Sequence, residues 1–249
     1  MLLLARPSTA TVRMAGHHGL GLLATPRGLL RDCDRGRPWA ADNDAFVSFD
    51  GRRFSGGIDS CVVLAQEVRS GRRPRWLAID YGQRHRRELD SAQAIAAHYG
   101  LEHHGQVVTL PSGILGCSAL TGDAPVPAGL APTHPDQSVT VVPGRNLLFL
   151  SLAVAVAASA RLPSVIIGCN FDDQTIYADC RASFLGLIGQ AVSSVYGVNV
   201  YAPLAGITKA EVVRMGRQLG APLHLCWSCY QGGEAPCGQC GACKTLEGV

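Results

Sequence analysis

No stretch of the 249-residue chain stays apolar long enough to cross a bilayer as a helix, which takes ~18–20 residues. The longest candidate, Leu147 to Ala160, reads as a buried helix. A strong charge of either sign is missing too. The net charge of +3, with no long basic run, does not support a nucleic-acid-binding face. The Walker phosphate loop is absent, because no Gly-Lys-Ser/Thr follows a glycine at the required distance. Acidic residues are missing up to Leu30, where Arg6, Arg13 and Arg27 stand among scattered Gly, Pro and Thr. The apolar start Met1 to Ala5 is too short for the core of a secretory signal. An arginine-bearing, acid-free start is also the composition of an organelle transit peptide, but no amphipathic pattern accompanies it. Residues 1–45 therefore read as a disordered extension, or as an upstream stretch added by a misplaced start codon.

What is present begins with Ser55-Gly56-Gly57-Ile58-Asp59-Ser60, leading into the apolar run Cys61-Val62-Val63-Leu64. Two glycines let the backbone turn sharply and bring N–H groups close to an anion, and the helix that follows presents its positive end to it. Ser55 and Ser60 add hydroxyl donors. A loop of this kind should follow a buried parallel strand, which normally reads as continuous apolar sequence. Phe46 to Phe49 suits that, but Asp50-Gly51-Arg52-Arg53 is polar and turn-like, so the strand is expected to be short or displaced.

The rest of the pattern alternates. A helix from Ile58 to about Ser70 is followed by a strand, Arg75 to Asp80, and a helix from about Arg86 to His98. Further strands are expected at Gln106 to Leu110, Ser164 to Gly168 and Asn199 to Pro203, with an extended piece at Ser138 to Val142. Residues 111–136 form a long Pro/Gly/Ala-rich connection, the kind that serves as a lid or mobile segment. The fold class expected is α/β, an open parallel sheet with helices on both faces. Ligands of such sheets bind beyond the carboxyl ends of the strands. That places Tyr81, Gln83, Arg84 and His85, and the run Asn170, Asp173, Tyr177, Asp179, Cys180 and Arg181, where a polar ligand would meet them. Their alternative role is to dress a solvated helix start. Arg145, at a helix start after Pro143-Gly144, suits a phosphate or carboxylate. Thr208-Lys209-Ala210-Glu211 is a capping box, and Lys209 is also available to phosphate.

Ten cysteines is a high number, and four of them crowd into Cys229-x7-Cys237-x2-Cys240-x2-Cys243. That is metal spacing rather than a disulfide framework, and it points to a reducing, cytoplasmic compartment. Four thiolates close a tetrahedral zinc site and leave no position for activated water, so the ion would be structural. An iron–sulfur cluster is the chemical alternative. The absence of a His-x-Glu motif beside them disfavours a zinc deaminase. Cys226, before Trp227, reads as a core residue.

Phe54 to Ser60 resembles the PP-loop of the N-type ATP pyrophosphatases. With Asp80 to His85, Val142 to Asn146, the Gly168 to Arg181 block, Pro203-Leu204 with Thr208 to Glu211, and Trp227 to Cys243, the chain over about 54–244 resembles the 7-cyano-7-deazaguanine synthase family. The PP-loop is shared by many enzymes, whereas the Tyr-x-Asp-Cys-Arg and four-cysteine blocks together are specific. The resemblance implies a PP-loop α/β domain over 46–225 and a zinc-binding segment over 226–249. It implies an ATP-dependent ligase that turns 7-carboxy-7-deazaguanine and ammonia into the nitrile 7-cyano-7-deazaguanine in queuosine biosynthesis. By the same resemblance, Phe54, Ser55, Gly56, Gly57, Ile58, Asp59, Ser60, Cys61, Val62, Val63 and Leu64 form the ATP loop, with Mg2+. Ser55, Asp59, Ser60, Arg145 and Lys209 act on the phosphates. Tyr81, Gln83, Arg84, His85 and the Asn170 to Arg181 residues hold the deazapurine, Cys229, Cys237, Cys240 and Cys243 hold zinc, and the protein is a homodimer. Two rival readings are an enzyme modifying a tRNA base, which predicts a basic face, and a zinc-stabilised nucleotide-binding homologue that has lost catalysis. The polar Asp50 to Arg53 favours the second rival. The chain ends at Val249, soon after the last cysteine.

Overall fold

The structure is a computed structural model, and it describes residues 46–49 by their backbone and 56–111, 113–116 and 118–246 in full. Strands β1 (Phe46–Phe49), β2 (Arg75–Asp80), β3 (Gly105–Thr109), β4 (Ser164–Ile167) and β5 (Asn199–Tyr201) form one parallel sheet in the order β3-β2-β1-β4-β5. The helices are α1 (Ile58–Arg69), α2 (Arg87–His98), α3 (Arg145–Ser159), α4 (Asp173–Ile176), α5 (Ala182–Tyr196), α6 (Lys209–Leu219) and α7 (Gly241–Lys244).

Helices cover both faces because the strands carry apolar side chains on both. In β2, Trp76 and Ala78 pack with Cys61, Leu64 and Ile95 of α1 and α2, while Leu77 and Ile79 pack with Phe149 and Ala153 of α3. In β4 the alternation repeats: Val165 and Ile167 face α3, and Ile166 faces Val62, Val212 and Val213. Such near-continuous burial is what a parallel sheet with two covered faces requires. The first strand is indeed short, four residues, and still pairs with β2 on one side and β4 on the other. Asp50 to Arg53 lie outside the described residues.

Two expectations change. Ser138 to Val142 is not extended: Pro135–Thr140 is a 3-10 helix, begun by Pro135 and by the His134 ring, which accepts the Asp136 N–H. The long connection is also pinned. Ala128 bridges Cys240, the Gly129 N–H donates to Gln239, and the Arg84 N–H donates to Leu120. The capping box forms as expected, with the Glu211 carboxylate accepting the Thr208 N–H at 2.9 Å.

Candidate active site and thiolate cluster

The chain leaves β1 toward β2 on one side and crosses to β4 on the other, so β1 and β4 flank the point where the strand order reverses. Ligands of open α/β sheets bind in the crevice there. Gly56 sits at φ +65°, and a Cβ on it would come within 2.1 Å of Ser91. Only glycine fits that turn. Gly57 is the N-cap of helix α1 and brings no side-chain cap, so the first N–H groups carry the helix's positive end. The Ser60 hydroxyl donates back to the Gly57 carbonyl at 3.0 Å. Phe54 and Ser55 lie outside the described residues. Cys61, Val62, Val63 and Leu64 are core residues of α1 that hold the loop against the sheet.

One charge cluster forms beside this helix start. The Lys209 ammonium, on the first turn of α6, donates to the Asp59 carboxylate, and both residues are buried. The Asn170 amide nitrogen bridges Asp59 at 3.2 Å and Asp173 at 2.9 Å. Asp172 accepts the Lys209 backbone N–H at 2.8 Å. A buried ion pair of this kind costs desolvation and is retained where its charges are needed or fully bonded. Arg145 is buried on the first turn of α3, with its guanidinium 3.5 Å from the Tyr81 hydroxyl. Asp59, Lys209, Asn170 and Asp173, named from three separate motifs, thus meet in one place, with Tyr177 on the wall of the same cavity.

The remaining named residues face other groups. Gln83 is buried, accepting the Tyr81 N–H and donating to Ile79 and Glu88. His85 lies 3.2 Å from Glu88, and Arg84 donates to the Gly122 carbonyl. Asp179 accepts the Asn146 N–H at the start of α3, Asn146 also reaches the Cys180 sulfur, and Arg181 is exposed and bonds Gln174. These contacts shape the loops that carry the cavity. Gln137, Asp172 and Tyr230 also line it. Gln137 gives no sequence signal, since it falls between the long connection of 111–136 and the piece at Ser138 to Val142.

The four thiols lie with all ligand atoms within 4.8 Å of one another, and Cys237 and Cys243 are 3.9 Å apart. Ligands at ~2.3 Å around one tetrahedral ion stand about 3.8 Å from each other, so the set fits a single ion. In an iron–sulfur cube each thiolate binds its own iron, which spreads the sulfurs farther. N–H groups of Gln239 and Cys240 point at the Cys237 sulfur, and Cys237 N–H points at Cys229. Burial raises the Cys237 thiol, but those N–H donors and neighbouring thiols outweigh it and bring it down to about 7. Burial raises Cys240 and Cys243. Trp227, Cys229, Tyr230, Cys240 and Cys243 share the hydrophobic cluster of β2 and α3. The Trp227 N–H donates to Gly56 at 2.8 Å, which ties this segment to the loop. Gly232, at φ +69°, lies where a Cβ would meet the Arg84 carbonyl at 2.3 Å. Cys226 is half-buried and packs near Cys61, as a core residue should.

A parallel sheet with a glycine turn and a helix start at its switch point, and a closed thiolate site alongside, defines an α/β enzyme of the PP-loop ATPase type. The family model described as "Queuosine biosynthesis protein QueC" matches residues 52–247, and the chain belongs to that family. A 7-cyano-7-deazaguanine synthase of Thermoplasma acidophilum is 40% identical over 197 residues, covering 76% of this chain and 82% of that one. One of Alteromonas mediterranea is 38% identical over 197 residues, covering 77% and 88%. Among solved structures, a U34-tRNA thiolase from Methanococcus maripaludis with a [4Fe-4S] cluster aligns at a TM-score of 0.42 and 19% identity, over 79% of this chain and 63% of that one.

Proposed function

We propose that this protein is an ATP-dependent ligase that converts 7-carboxy-7-deazaguanine and ammonia into 7-cyano-7-deazaguanine for queuosine biosynthesis. The observation that carries the reading is the cluster of Asp59, Lys209, Asn170 and Asp173 around the start of α1 in a chain of this family. A carboxylate is a poor electrophile and needs a leaving group. Its oxygen attacks the α-phosphorus of ATP, and pyrophosphate departs. Ammonia then forms the C–N bond, the C–O bond to AMP breaks, and the surplus proton goes to solvent. The amide oxygen attacks the α-phosphorus of a second ATP, pyrophosphate departs again, and breaking the C–O bond to AMP with loss of two protons from the nitrogen leaves the nitrile.

The chain's own groups serve these steps. Gly56, Gly57 and the first N–H groups of α1, with Ser55 and Ser60, cradle the phosphates. Lys209 and Arg145 face the charge that grows on the departing pyrophosphate, and fixed charges in a buried site are worth more than in water. Asp59 holds Lys209 in place until the phosphates arrive. Asn170, Asp173, Tyr177 and Tyr81 face the deazapurine, while Gln83, Arg84, His85, Asp179, Cys180 and Arg181 fix the loops around it. Mg2+ bound with the triphosphate would neutralise part of its charge. Zinc on Cys229, Cys237, Cys240 and Cys243 is structural. Residues 46–225 form the catalytic domain and 226–249 its metal-bound wall.

The protein is read as cytoplasmic and homodimeric, with no nucleic acid bound directly. Among the described residues no helix is long and apolar enough to cross a membrane. Helix α5 supports the dimer: three of its large apolar residues, Leu187, Val195 and Tyr196, are 66%, 70% and 60% exposed. Exposed apolar surface of this kind marks interfaces. Leu187→Glu should turn a dimer into a monomer in sedimentation, and an unchanged profile would remove that face from the assembly. The activity is tested by incubating the purified protein with 7-carboxy-7-deazaguanine, ammonium, Mg2+ and ATP and reading products by mass spectrometry. Nitrile with AMP supports the reading; intact acid after complete incubation contradicts it.

A further inference from the structure

We propose that Thr140 is a positioning residue for the deazapurine: its hydroxyl holds the tip of the Tyr177 side chain, so that the ring stands fixed in the cavity wall. The inference rests on the function proposed above and deepens its substrate site. Thr140 is the last residue of the 3-10 helix Pro135–Thr140 and stands 37 positions before Tyr177 in the chain. It does not itself line the cavity, so it acts through Tyr177.

The two contacts of the Thr140 hydroxyl fix the direction of both bonds. Its oxygen lies 2.6 Å from the Gln137 backbone carbonyl and 2.5 Å from the Tyr177 hydroxyl oxygen. A carbonyl carries no proton, so the first bond uses the one proton that the threonine hydroxyl has. The second must then use the phenol's. Tyr177 donates to Thr140, and Thr140 donates to Gln137. With its proton committed in this way, Tyr177 serves the site by the place of its ring and not as an acid.

Both ends of this hydrogen-bonded chain are firm. Thr140 is buried, the neighbouring Val139 carbonyl accepts the Ala119 N–H at 2.8 Å, and Val142 is a core residue. Tyr177 is buried too; its backbone N–H donates to the Asp173 carbonyl and its carbonyl accepts the Cys180 N–H, both at 3.0 Å. A tyrosine ring has only two torsions between backbone and hydroxyl. With the backbone held, tying the hydroxyl leaves neither free. A wall ring already fixed costs nothing more to order when a planar ligand packs against it, whereas a loosened one does.

Steady-state kinetics of the full chain test this, with the acid, ATP and ammonium each varied at saturating levels of the other two. Thr140→Val keeps the shape and deletes the hydroxyl, so the acid KM should rise about fivefold, the effect of having to order one side chain on binding. Tyr177→Phe breaks the same bond from the other side and should raise it by the same factor. The ATP and ammonium KM values should hold within about twofold. Joined in one protein, the two substitutions should cost no more than either alone, because a single bond is lost once. Thr140→Ser keeps the hydroxyl and should restore the acid KM. A threonine that is merely structural lowers the melting temperature and leaves the acid KM where it was, and that result overturns the role. Additive effects in the double variant overturn it as well, as does loss of turnover at saturating acid in Tyr177→Phe, which would make the phenol an acid. If Thr140→Val does not fold, the acid KM of Tyr177→Phe decides: a rise supports the role and an unchanged value overturns it. An unmutated protein that makes no nitrile overturns the parent reading and this role with it, whereas the other failures, in an active protein, overturn this role alone.

Discussion

Two buried polar clusters sit side by side in this molecule and are assembled in opposite ways. The charge cluster draws Asp59, Asn170, Asp173 and Lys209 from α1, the loop after β4, α4 and the start of α6, so it exists only once the sheet has formed. The thiolate cluster takes all four ligands from Cys229 to Cys243. The first stores opposite charges in a buried crevice and is poised to exchange them for a substrate's. The second closes on itself and offers no open position, which fits a brace. They are joined where Trp227 donates to Gly56 and where Tyr230 and Gly241 wall the cavity. The brace thereby holds one side of the site.

The sharpest way to break the contrast is Asp59→Ala. It should abolish nitrile formation and also cost about 3–5 kcal/mol, because the buried Lys209 ammonium loses its carboxylate. Mass spectrometry and thermal unfolding check the two effects together. Cys240→Ser, or chelation, should act in the other order. Loss of one of four ligands removes metal, measured by elemental analysis, and lowers the melting temperature first, with activity falling because the cavity wall loosens. Retained activity in metal-free protein would separate the clusters. Asn170→Ala should be milder, about 1–3 kcal/mol, since it removes the bridge between two carboxylates and leaves the ion pair.

Smallest is Thr208→Ala, at roughly 1 kcal/mol for a lost helix cap on α6. Here pH adds a direction. The Thr208 hydroxyl and N–H bond the Glu211 carboxylate and hold its pKa below the usual glutamate value. A depressed carboxyl contributes stability above its unfolded pKa and loses it as pH falls through its folded pKa. Acid unfolding should therefore begin at a higher pH in the native protein than in a Glu211→Gln variant, when both are compared with their neutral-pH stability.

This contrast also explains what could be read in advance. The thiolate cluster was legible, because its four cysteines are neighbours in sequence at metal-binding spacing. The sheet was legible through its alternation, and β2 begins and ends at the residues expected. Asp59 and Lys209 were identifiable as separate motifs, but nothing local says that they pair across 150 positions. Gln83 and Cys180 read as ligand contacts because a polar residue after a strand looks the same whether it turns toward the crevice or back into its own loop. Gln137 was invisible: its 3-10 turn is begun by a local cap from His134, but its burial comes from packing against Gly241, a tertiary contact. Phe54 and Ser55, the front of the loop, lie outside the described residues.

The central claim is that the charge cluster serves two adenylations, first of the carboxylate and then of the amide made from it. Substrate carrying ¹⁸O in both carboxylate oxygens tests it directly. Each activation passes one of those oxygens to AMP, so every nitrile formed should be matched by two AMP molecules, each with one ¹⁸O. Label appearing in inorganic phosphate or water, or nitrile formed with unlabelled AMP, would contradict the account.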